Sequence, residues 1–206
     1  MSHAFVRVAG LGLRIVPKAP FVMALVGDAA DTIELTGLVN DEEQHVRVRA
    51  GDTLAPEFGA LSVGPSHPGL RLEVGGVYEL PWPTGGLALI SAPDPGEPPF
   101  YMFSDLDGGL VYVQGPMPNE HVPSLDAMLG TGQRELQRGE TAGHAWVEMA
   151  YEHDGDEWRQ LHVLAAFSTS HKVVVTTQAF ADRATTIHAA AHEIASSITA
   201  CKRPAD

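Results

Sequence analysis

Cysteine is almost missing from this chain: Cys201 is the single one, so no intramolecular disulfide framework is possible and a reducing compartment is expected. Basic residues are also scarce, with 13 Lys and Arg against 26 Asp and Glu. The formal charge of -13, spread over both halves, repels phosphate backbones and anionic lipid while attracting basic proteins. Nucleic-acid and membrane roles are thereby disfavoured. No apolar run approaches the ~18 residues of a membrane span, and Met1 to Gly10 mixes Arg7 with small and apolar residues instead of forming a signal-peptide core. A cytoplasmic protein is expected. The sequence has no P-loop, no GxGxxG opening a βαβ unit, no CxxC pair and no basic aromatic stripe. No cofactor is expected either.

What is present is ordinary globular material, 44% apolar and 19% charged over 206 residues, enough for one compact domain. A subdivision into a β-rich part, 1–91, and a second part, 100–206, is the alternative. Apolar and alternating runs predict strands at 4–9, 12–16, 21–26, 33–39, 44–49, 71–79, 86–91, 100–104 and 110–115, with no helix before residue 116. Segments 54–70 and 92–99 are rich in Pro and Gly and read as loops.

The pattern changes after residue 116. Ser124 is an N-cap candidate, and Leu125, Met128, Leu129, Gly132 and Leu136 follow at helical spacing, which predicts a helix from Leu125 to Arg138 stopped by Gly139. Three strands come next, 143–153, 158–167 and 172–180, joined by four-residue turns at Asp154–Glu157 and Ser168–His171. That register sets Glu152 opposite Arg159 and aligns Val147, Leu164 and Val175 on one buried face, with Met149, His162 and Thr177 beside them. A final helix from Arg183 to Ala200, capped by Asp182, carries Ile187, Ala191, Ile194 and Ile198 at spacings of four, three and four, a stripe made to lie on a sheet. The fold class expected is α+β: an antiparallel β body with a helix before and a helix after a three-stranded meander.

His188 and His192 are four apart on the last helix, a spacing that can chelate a metal, but Ala189 stands where a zincin needs Glu, and both flank the apolar stripe. A solvated helix edge without metal is the expectation. His144, His153, His162 and His171 recur every nine residues, yet only His162 points toward the interior of the meander. It is the best candidate for a polar pocket residue, with Glu148 or Glu152 as the carboxylate an acid-base enzyme would add. Ser66-His67 lies between Pro65 and Pro68 and lacks the strand-turn-helix elbow of a hydrolase; Cys201 beside Lys202 and Arg203 has no positioned base. The acidic runs Asp41–Glu43 and Asp154–Glu157 lack calcium-loop spacing. Trp82, held between Pro81 and Pro83 ahead of Thr84-Gly85-Gly86, is the candidate binding residue, an indole at a rigid loop tip.

Residues 110–200 also carry a resemblance. Leu110-Val-Tyr-Val-Gln114, the segment Leu125–Arg138, and Val173-Val-Val-Thr-Thr-Gln-Ala-Phe180 running into Ala184–Ile198 resemble the PsbP-like fold. That superfamily takes in the photosystem II extrinsic subunit, a Ran-binding nuclear import factor, actinobacterial LpqN-type lipoproteins and chaperones of type VI secretion effectors. These are mostly binding proteins, and the resemblance implies the same here without transferring any residue. The long β-rich stretch before residue 100 departs from that group. The function expected is a noncatalytic adaptor for a basic protein partner, such as a bacterial secretion-effector chaperone or immunity-type protein. A small hydrolase or isomerase built around His162 is the alternative, and a structural assembly subunit is a third.

Overall fold

A computed structural model describes residues 6–27, 31–92, 100–141 and 143–201. They divide into two compact units, one of Met1–Trp82, Gly86–Met102 and Thr199–Asp206, the other of Pro83–Gly85 and Phe103–Ile198. The 92–99 loop expected from its prolines lies almost wholly outside the described residues.

The strands of the first unit are β1 (Val6–Gly10), β2 (Leu13–Pro17), β3 (Phe21–Val26), β4 (Thr32–Val39), β5 (Glu42–Val48), β6 (Gly59–Val63), β7 (Arg71–Val74), β8 (Tyr78–Pro81) and β9 (Ala88–Ala92). β10 (Phe100–Ser104) crosses the boundary between the units. Within the first unit β5, β4, β3 and β9 pair in that order, and β8, β7, β1, β2 and β6 form a second antiparallel series. Strict alternation explains the burial: Val6 and Val8, Leu13 and Ile15, Phe21 and Met23 are all within 4% of full burial, while their neighbours are not.

The second unit holds β11 (Leu110–Pro118), β12 (Arg134–Thr141), β13 (His144–His153), β14 (Asp156–Ala166) and β15 (His171–Phe180), followed by α1 (Ala184–Ser197). Its strands pair in the order β12, β13, β14, β15, β11, and α1 packs on β15, β14 and β11. Ile187, Ala191 and Ile194 of the predicted stripe are fully buried, and Ile198 caps the helix end. β16 (Thr199–Ala200) then returns to the first unit and pairs with β8.

Several expectations are corrected. The fold is not α+β: the chain is mostly antiparallel β, with a single α-helix among the described residues, and belongs to the β-sandwich class. The helix expected over 125–138 is the main cause. Ser124 does cap, its Oγ accepting from the Ala127 N–H at 3.3 Å, but only a 3-10 turn at Leu125–Met128 follows. Gly132 then takes φ of 83°, a left-handed conformation that ends any helix, and Arg134–Thr141 becomes an edge strand on β13. Gly139 is needed there, because a Cβ would stand 2.7 Å from the Trp146 ring.

The predicted strand 71–79 is broken into β7 and β8, and β6 lies inside a stretch read as loop. The first meander turn has two residues, not four: Asp154-Gly155 is an Asp-Gly hairpin signature, and it sets Glu152 opposite Glu157 and Arg159 opposite Ala150. At the second turn Val163 faces Val175 and Leu164 faces Val174. Both faces of this sheet are buried in part, since Val147, Glu148, Met149 and Ala150 are all below 9% exposure. The last helix ends at Ser197, and Asp182 does not cap it.

Candidate functional site

The register of the meander places Trp146, Glu148 and Ala150 on the sheet face that carries α1. His188, on the first half of α1, comes down over Glu148. Its Nδ1 lies 3.8 Å from Glu148 Oε1, and both side chains are almost fully buried. Arg159 on β14 brings Nη1 to 3.5 Å from the same carboxylate, and Gln137 on β12 donates from Nε2 to Glu148 Oε2. Together with Ala184, Thr185 and His192, these residues line a groove of about 570 Å³.

Burial pushes the His188 pKa down to about 4, against the attraction of Glu148; nearby His192 and Arg159 push in the same direction as burial. The ring is therefore neutral near pH 7. Glu148 is held between Arg159 and Gln137, while His188 Nε2 is buried with no hydrogen-bond partner among the described residues. His192 stands one turn further on, its ring 5.5 Å from that of His144 and edge-on to Trp146 at 5.6 Å. Burial and then His144 lower its pKa. Among the described residues no group of three His, Cys, Asp or Glu is placed to hold a metal. The expectation that His188 sits at a solvent edge is corrected, since it is 9% exposed under the helix.

The His162 constellation is not assembled. His162 faces Val147 and Thr176 across its neighbouring strands, so its side chain lies on the face opposite Glu148, and its Nδ1 shares a 2.9 Å hydrogen bond with Thr176 Oγ1. Burial lowers its pKa. Glu152 is exposed at the hairpin end beside Glu157. What groups with Glu148 is His188, a residue from a distant element that no local spacing could reveal.

Trp82 is not at an exposed loop tip. It is 7% exposed, its indole N–H donates to the Leu87 carbonyl at 3.1 Å, and its backbone N–H donates to Leu70 at 2.9 Å. The indole is a core plug of the first unit. Cys201 is also unlike its sequence context: burial first, then Glu73 and Glu79, push its thiol up to about 11, which leaves it unreactive at neutral pH.

A surface missed in the sequence is the outer edge of β6. Strands at sheet ends are usually protected by charge. β5 carries Glu42, Glu43, His45 and Arg47, and β12 carries Arg134, Glu135, Arg138 and Glu140; β16 is only two residues long. β6 is Gly59-Ala60-Leu61-Ser62-Val63, without a charge. It pairs on one side with β2, and Val63, opposite the buried Leu13, is 86% exposed, the largest value among the exposed large hydrophobics. β6 lies within the 54–70 segment, whose richness in proline and glycine reads as loop.

Neither a family model nor a curated protein matches the chain. Among solved structures it is similar to LpqN of Mycobacterium tuberculosis, described as involved in cell envelope biogenesis, at 15% identity over 61% of this chain and 83% of that chain. The TM-score of 0.40 is too low for that likeness to carry an argument about fold or function. No helix among the described residues is long and apolar enough to cross a membrane.

Proposed function

We propose that this chain is a noncatalytic protein-binding adaptor that takes an extended segment of a basic partner as an added strand on β6. The observation that carries this is the uncharged β6 edge with Val63 86% exposed beside the buried Leu13. An added strand would satisfy the outward backbone groups of β6 and cover Val63 with an apolar side chain, the two sources of affinity in strand addition. The net charge of -13 selects a basic partner and opposes pairing of two copies edge to edge. A secretion-effector chaperone or immunity-type protein of the cytoplasm is the concrete form. The PsbP-like resemblance belongs to the same proposal and rests on β15 running into α1.

The hydrolase or isomerase reading keeps one supporting observation, now at a different residue: His188, neutral beside Glu148, with its Nε2 unpartnered. One experiment separates the two. Affinity capture from the native cell, repeated with Val63→Lys and Ala60→Lys, should recover a basic partner with the parent and lose it with both variants. Its association should slow as the Debye length falls from about 10 Å at 0.1 M salt to about 3 Å at 1 M. Undiminished capture by both variants overturns the strand-edge reading. Turnover of a small molecule that disappears in folded His188→Gln replaces it with an enzyme.

A further inference from the structure

On the outer face of the six-stranded series in the first unit, neighbouring strands place guanidinium groups in two rows. Arg7 on β1 stands beside Glu73 on β7, with Nη1 2.9 Å from the carboxylate. Arg71 on β7 holds Glu79 on β8 at 3.1 Å. Arg71 and Arg14 flank Ala9, which pairs with both of them from the strand between. The small Ala9 side chain makes the floor of a hollow of about 400 Å³, rimmed also by Pro65 and His67.

Two of the three arginines have carboxylate partners and Arg14 has none among the described residues. Its Nε is buried with no hydrogen-bond partner. Arg14 as a whole is half-buried and lines the hollow, its guanidinium charge has no carboxylate among the described residues to offset it there, and an incoming oxyanion would supply one. We propose that this hollow is a binding site for a small oxyanion, a carboxylate or a phosphate group, seated over Ala9 with Arg14 as its principal donor and Arg71 at the opposite wall. The charges agree: with Arg7 and Arg71 offset by Glu73 and Glu79, one guanidinium charge remains for the anion in a chain that is otherwise acidic. Guanidinium suits the ligand because its planar fork meets two oxygens at once. The site uses none of the β6 edge groups and stands or falls independently of the proposed adaptor role.

The test is titration of the full chain with acetate and, separately, with inorganic phosphate, observing the arginine Nε–Hε resonances, with that of Arg14 assigned by its loss in Arg14→Gln. A saturable shift of the Arg14 signal by either anion is expected, and the tighter of the two identifies the class. Arg14→Lys should weaken binding about tenfold through loss of the fork. Ala9→Leu, which keeps every charge and fills the floor, should abolish it, and Lys18→Gln should leave it unchanged. A linear, non-saturating response to both anions, or saturable binding that survives Ala9→Leu, overturns the proposal.

Discussion

His188 gives the sharpest quantitative prediction. In the unfolded chain its ring titrates near the ordinary 6.5, whereas burial under α1 depresses it to about 4 in the folded protein despite Glu148 at 3.8 Å. Below 6.5 the unfolded state thus binds a proton that the folded state refuses, so unfolding becomes easier as pH falls. The contribution is fully present above about pH 6.5 and is lost progressively down to about pH 4. At about 1.36 kcal/mol per pH unit the full loss is ~3 kcal/mol. Urea denaturation of the parent and of His188→Gln, run across that interval, isolates the effect from His162 and His192, whose depressed values tilt both proteins alike. The parent should lose ~3 kcal/mol more than the variant. Parallel curves would show that the ring protonates in place with its pairing to Glu148 matching burial, and a parent that gains stability over the variant on acidification would show that the pairing outweighs it.

Ile194 is fully buried in the α1 stripe, and Ile194→Ala should cost roughly 2–5 kcal/mol in a denaturant titration. Trp82→Ala should cost about 3–5 kcal/mol by the same measurement, as expected of a core plug and not of an exposed anchor. Val63→Lys should leave stability within about 0.5 kcal/mol of the parent, since an exposed edge side chain loses no packing.

Much of the architecture was legible because it is written locally. Alternation in Val6-Arg7-Val8 and Leu13-Arg14-Ile15 marks half-buried strands, and the four, three, four spacing from Ile187 to Ile198 marks a docked helix. The helix expected at 125–138 does not form because, although its apolar positions fit helical spacing, Gly132 takes a left-handed conformation and Glu135 to Gly139 pair with β13. At Asp154 a two-residue Asp-Gly turn stands in place of the expected four-residue one, and the register moves so that Glu152 meets Glu157 and not Arg159. The candidate sites were the least legible. Glu148 meets His188 only through the meander register and the seat of α1, and the exposure of Val63 follows from β6 being last in its sheet. Neither is a property of any window of sequence.

The central claim is that β6 receives a partner strand, and amide hydrogen exchange reads that event at the backbone groups involved. Exchange at residues 59–63 should be rapid in the free chain on the outward-facing amides and slow by orders of magnitude once the captured partner is bound, with β5 and β12 unchanged. Protection that appears instead around Glu148 and α1, with β6 exchanging as before, would contradict the account and move the binding function to the His188 groove.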